Sequence, residues 1–191
     1  MLARDLVQRH LRQDRLSGVH NPFGHHACPN DAWRFLDLAE NAGLLDLVEN
    51  VLGADIVLWD SELYADPAAW PRDEARCWPA EPLAGTVAAI DLESGRTVLI
   101  DITRLGDVFD DTGLRPGPCY AVRYMPATSH YNRDPQFGAN RLATELRPLV
   151  NHCIRPIWLL RGKDRAGSDF ASGFAPPAAR WADAVRIPPT Q

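Results

Sequence analysis

Apolar residues in the first third of the chain recur at helical spacing. Leu2, Leu6, Val7 and Leu11 fall between charges over residues 1–16, which predicts an amphipathic helix stopped by Gly18 and Asn21-Pro22. His20 to Asn30 is a loop rich in His, Gly and Pro. A second helical pattern follows, with Asn30 or Asp31 as its cap. Its apolar stripe holds Trp33, Leu36, Leu44, Leu45, Val48 and Leu52; Gly43 is a candidate break, and Gly53 sits where a C-terminal glycine stop belongs. After Gly53 the period changes. Ile56 to Tyr64 reads as a strand, and Asp66 to Pro82, with its prolines and tryptophans, as an ordered loop. Thr86 to Leu92 and Thr97 to Ile102 flank Glu-Ser-Gly-Arg, a hairpin signature. Cys119 to Met125 and Ile157 to Arg161 are further strands, Arg141 to Val150 a short helix, and the tail after Phe174 extended.

Helices first and short strands afterwards predict an α+β fold, with N-terminal helices packed on a mainly antiparallel sheet. The strands could form a shortened jelly-roll or cupin-like sheet pair, a double-stranded β-helix. With 191 residues, 46% of them hydrophobic, the chain has material for one core, read as a single domain over 1–175 and a Pro/Ala-rich tail over 176–191. A formal net charge of -5 gives no global attraction for nucleic acid or an anionic membrane. No run approaches the ~20 apolar residues that span a bilayer, and the charged first residues form no signal-peptide core, so the expected location is cytoplasmic. Lys163 is the only lysine, which reflects nucleotide composition, read as bacterial. Cys28, Cys77, Cys119 and Cys153 lack CxxC spacing and are expected to be free thiols.

Four segments, in order, carry a family resemblance. They are residues 44–64, from Leu44-Leu45-Asp46 through Gly53 to Tyr64; Trp70-Pro71-Arg72-Asp73 followed by Trp78-Pro79-Ala80-Glu81-Pro82; Ala121-Val122-Arg123-Tyr124-Met125-Pro126; and Arg155-Pro156-Ile157-Trp158 through Gly167. Together they resemble the phytanoyl-CoA dioxygenase family of iron(II)/2-oxoglutarate oxygenases. The resemblance implies the double-stranded β-helix and a metal held by two His and one carboxylate.

The ligands that this resemblance calls for are largely missing. Where the family reads W-H-x-D, the His position is Pro71, and Asp73 alone matches the carboxylate. There is no His-x-Asp or His-x-Glu in the chain, and Gly106 to Tyr120, where the distal His belongs, contains no histidine. Arg115 and Arg123 are the nearest counterparts of the arginine that would bind 2-oxoglutarate. The implied pocket is Trp70, Asp73, Trp78, Arg115, Arg123 and Tyr124. Asp73 is expected either to pair with an arginine or to be exposed, since an unpaired buried carboxylate is costly.

Other clusters have plainer readings. His25, His26 and Cys28 form a polar loop sooner than a metal site, and Asp107, Asp110 and Asp111 a solvated turn. His130 and Asp134 lie in a turn-like segment, so Asp73 and His130 remain only weak metal candidates. The resulting expectation is a degenerate oxygenase relative without that family's usual activity, acting as a binding or partner protein. The alternative is an enzyme of the same superfamily, oxidative or not, with a pocket rearranged around Asp73. No cofactor is expected; Fe(II) and 2-oxoglutarate belong only to the rearranged case. A small-molecule ligand fits either reading, and a second copy could cover a strand edge left by the shortened sheet.

Overall fold

A computed structural model describes residues 4–13, 19–20, 32–70, 74–104, 113–146 and 151–170. Its helices are α1 (Arg4–Gln13), α2 (Leu36–Ala39), α3 (Ala42–Leu52) and α4 (Gly138–Leu146). Its strands are β1 (Val19–His20), β2 (Ile56–Tyr64), β3 (Ala80–Glu81), β4 (Thr86–Asp91), β5 (Thr97–Asp101), β6 (Cys119–Pro126), β7 (His130–Tyr131) and β8 (Trp158–Arg161). The fold is α+β. One antiparallel sheet runs β1-β2-β6-β4-β5, with β8 also on β2, and β3 pairs with β7 as a separate ribbon. Among the described residues no helix is long and apolar enough to cross a membrane.

The central strands β2, β4 and β6 are buried along their whole length. They are covered on both faces, which is why they read as nearly continuous apolar runs. On one face, Leu44, Leu45 and Val48 of α3 join Phe35, Leu36 and Leu6 over Ile56, Leu58, Ala88, Ile90, Tyr120, Val122 and Tyr124. On the other, Val57, Trp59, Tyr64, Val87, Ala89, Cys119, Ala121 and Met125 meet Trp70, Trp78, Tyr131 and Ile157.

A bulge in β2 decides what the second face contains. Leu58 stands opposite Tyr124, but Asp60, not Trp59, stands opposite Arg123. The extra residue shifts the two-residue alternation by one. Before it, Val57 and Trp59 point away from the helices; after it, Tyr64 does so and Leu63 turns to the helical side. Asp60 and Glu62 thereby share a face with Tyr64. Without the bulge they would lie in the apolar layer beneath the helices.

The helical layer differs from expectation in one detail. The break falls at Glu40 and Asn41, not at Gly43, because the Asn41 side chain caps α3 by accepting from the Leu44 N–H at 3.1 Å. Gly43 lies inside the first turn of α3, while Gly53 ends it with φ 86°, its N–H donating to Glu49 O. The Tyr124 hydroxyl donates to Ala39 O at 2.8 Å and fixes the end of α2 to β6. Arg161 of β8 clamps the outer flank of α3 through Glu49 and Asp46, each at 2.7 Å. α4 begins three residues before the expected Arg141, and residues 147–150 lie outside the described part. The side chain of Trp33 and the tail over 176–191 lie outside it too.

The opposite layer leaves no room at Gly85. A Cβ there would lie 2.7 Å from Tyr124 O and as close to the Trp78 ring. Gly85→Ala is therefore expected to destabilise the protein by about 2 kcal/mol, the usual size of an overpacking penalty. Urea denaturation reads this as a lower midpoint at an unchanged slope.

Candidate functional site

Arg123 lies in the middle of β6 on the face away from the helices. Its same-face neighbours include Ala121 and, on β4, Val87 and Ala89, so the sheet leaves space above it. That space is filled by acids from three directions. Asp60 is its cross-strand partner on β2, with Oδ2 at 3.4 Å from Arg123 Nη1. Glu62, two residues on, accepts from Nη2 at 2.8 Å, and the Tyr64 hydroxyl accepts from the same nitrogen at 3.0 Å. Glu74, at the start of the 3-10 turn Glu74–Cys77, accepts from both Nε and Nη2, the latter at 2.9 Å. This is the two-pronged geometry in which a guanidinium fork matches a carboxylate.

A second ring of contacts holds the acids. The Tyr64 hydroxyl donates to Glu62, and the Trp70 indole N–H donates to Glu74. Trp70 stacks on Tyr64, ring centroids 5.4 Å apart and planes within 9°, and the Arg123 guanidinium sits 5.9 Å from the Trp70 ring. Arg155, just before β8, meets the other oxygen of Asp60.

None of Asp60, Glu62, Glu74, Arg123 or Arg155 is more than 4% exposed. Removing charge from water costs several kcal/mol per ion unless it is paired, so these groups depend on one another. Burial alone would push the Arg123 guanidinium down, but Glu74 and Glu62 hold it well above its usual value. Burial brings Arg155 down to about 10; it remains a cation at neutral pH, a state its contact with Asp60 also favours.

The pocket implied by the sequence is gathered only in part. Trp70 and Arg123 meet within the cluster. Trp78 is buried on the same face, edge-on to Trp59 at 4.7 Å. Tyr124 follows Arg123 along a strand, so alternation sends it to the helical side. Arg115 is exposed and acts by its charge on Asp91, at the β4–β5 turn. Asp73 and Pro71 lie outside the described residues; the carboxylate that meets Arg123 is the next one, Glu74. His130 is exposed on β7, opposite Glu81. Asp134 shapes the following turn, accepting from Gln136 N and donating its own N–H to Asn132, each at 2.8 Å. His25, His26 and Cys28, and Asp107, Asp110 and Asp111, lie outside the described residues.

Sequence reasoning overlooked Asp60, Glu62, Tyr64, Glu74 and Arg155. A signal existed for the first two. Asp-Ser-Glu inside an apolar strand calls for an opposite charge on a neighbouring strand, and Arg123 lies inside another such strand.

The donor set does not suit Fe(II) with 2-oxoglutarate. The acids converge on a guanidinium and lie beside a second one, and among the described residues no imidazole bonds to them. Among the described residues no three His, Cys, Asp or Glu side chains are grouped as a metal ion would require. Elsewhere, a 240 Å³ cleft opens between the α2–α3 corner and the β4–β5 hairpin, floored by Leu38, Leu44, Ile90 and Leu92. Its Asn41 is committed to capping α3, and its Asp91 to the hairpin turn through Glu93 and Ser94. Compared with models of known protein families and with curated proteins, the chain matches none.

Two outcomes follow. Arg155→Met removes one of the two guanidiniums beside Asp60, leaving Arg123, and should cost about 3 kcal/mol, whereas adding Asp60→Asn should recover part of that loss, because an under-compensated buried charge costs more than a missing pair. A double-mutant cycle by chemical denaturation measures the coupling. Cys119 is on the same face of β6, and burial, reinforced by Asp91, raises its thiol to about 12. At pH 8 it should stay unmodified by a disulfide reagent in the native protein and react only on unfolding, as peptide mapping would show.

Proposed function

We propose that this chain is a degenerate relative of the phytanoyl-CoA dioxygenase family: a shortened double-stranded β-helix that serves as a binding or partner protein and does not carry out iron(II)/2-oxoglutarate oxygenation. The supporting observation is the Arg123 cluster. The resemblance aligns Trp70-Pro71-Arg72-Asp73 with the tract that delivers metal ligands. Trp70 at the head of that tract and Glu74 just after it are bonded to each other, and Glu74 grips Arg123. A guanidinium held by three carboxylates stands beside the tract where the family's chemistry would need an open, metal-coordinating face. The ribbon β3–β7, lying beyond the main sheet, is consistent with the remnant of a second sheet.

On this reading a ligand or partner engages another surface. The cleft over Leu38, Leu44, Ile90 and Leu92 has the size and apolar floor of a small-molecule site. The neighbouring α3 leaves Leu47 and Val51 half exposed, 50% and 52%.

The test is metal analysis of protein purified without chelators, beside a calorimetric titration with 2-oxoglutarate in the presence of Fe(II) or Mn(II) under anaerobic conditions. The expected result is iron far below one equivalent and no saturable 2-oxoglutarate binding. Pro71→His should leave both unchanged, since the distal His is still lacking. Stoichiometric iron with saturable 2-oxoglutarate binding would overturn the proposal.

A further inference from the structure

Arg123 occupies a site with the features of a cation receptor. Asp60, Glu62 and Glu74 arrive from two segments, β2 and the turn after Trp70, and all three direct oxygens at one guanidinium. The neutral ring of the site is also built for it: the Tyr64 hydroxyl accepts from Nη2, and Trp70 presents its ring to the guanidinium. The spacing suits a planar guanidinium better than a divalent metal ion. Glu62, Glu74 and the Tyr64 hydroxyl stand 2.8–3.0 Å from Nη2, the second Glu74 oxygen meets Nε, and Asp60 stands 3.4 Å from Nη1, whereas a divalent metal needs its oxygens at roughly 2.0–2.6 Å from a single centre.

We propose that Arg123 is the resident cation of this fold. It neutralises the acids on β2 and fastens the turn Glu74–Cys77 to the sheet, a task that a bound ion performs when a site's own residues are all anionic. Emptying its position would leave a receptor selective for guanidinium-class cations. The inference rests on the reading of the site as degenerate, because it assigns Arg123 the place beside the lost ligands. Its test is separate: it reads stability and selectivity in variants, whereas metal and 2-oxoglutarate binding by the unaltered protein test the reading itself.

The receptor has a chemical signature. A planar guanidinium can serve Glu74 with two parallel N–H groups while reaching Glu62 with a third. An ammonium ion at the Nη2 position would meet Glu62, Glu74 and Tyr64 but would leave Asp60 and the second Glu74 oxygen without a donor. A divalent ion carries more charge but finds its ligands out of range.

The experiment is thermal melting of Arg123→Ala in the full chain, alone and with tens of millimolar methylguanidinium, methylammonium or Mn2+. Losing the partner of buried carboxylates is expected to lower the melting temperature by roughly 10 °C. Methylguanidinium should restore a substantial part of that loss in a saturable manner, without similarly raising the melting temperature of the unaltered protein. Methylammonium and Mn2+ should restore distinctly less. Should Arg123→Ala fail to fold, Glu74→Gln retains the cation and loosens only the tract. Amide exchange over residues 74–77 should then accelerate by about tenfold or more, with β6 unchanged, if its fastening depends on this ion pair. An Arg123→Ala protein that melts like the original would overturn the proposal, as would rescue by Mn2+ or methylammonium equal to that by methylguanidinium. Unchanged exchange in Glu74→Gln would do the same.

Discussion

A guanidinium buried in a β-sheet must be neutralised, and much of this structure follows from that requirement. Arg123 is 1% exposed at the centre of a sheet covered on both faces. Leaving it unpaired there would be prohibitive. The bulge at Trp59 and Asp60 turns the acidic half of β2 toward it. The tract leading out of β2 folds back so that Glu74 can close on it, with Trp70 bridging the two. Because Asp60 is shared, a second guanidinium, Arg155, is drawn against β2 immediately before β8. One charge thus organises strand register, a loop and the approach to the last described strand.

The two faces of the sheet are built on different principles. The helical side is largely apolar: Leu, Val and Phe side chains fill it, and the Tyr124 hydroxyl bonds to Ala39 O. The opposite side combines aromatic packing with the ion cluster, and its geometry is directional. Trp59 packs edge-on to both Trp78 and His152, and Arg133 secures the neighbouring segments by donating to the carbonyls of Cys153, Arg155 and Asp169. The open cleft lies on the helical side.

Local pattern was enough to locate the strand Ile56–Tyr64, the hairpin of β4 and β5 and the stop at Gly53, because each depends on neighbours in sequence. The two-residue strands β1, β3 and β7 escaped notice, since two residues cannot display a period. The bulge could not be read either: it is a property of the pairing between β2 and β6, and both strands look regular alone. For the same reason a shared motif groups Tyr124 with Arg123 and Trp70, whereas alternation turns Tyr124 to the helical side and leaves Arg123 and Trp70 together on the other. Glu74 lies 49 residues from Arg123, and nothing in its own neighbourhood points to that partner.

The most direct test of this account is the side-chain NMR signal of Arg123 in the unaltered protein. A guanidinium held on several edges should rotate slowly about its Nε–Cζ bond, giving separately resolved Nη resonances and an Nε–H that exchanges slowly with water. Exposed Arg115 should give averaged, rapidly exchanging signals under the same conditions. Averaged and rapidly exchanging signals from Arg123 itself would show that it is not locked among Asp60, Glu62 and Glu74, and would contradict the account.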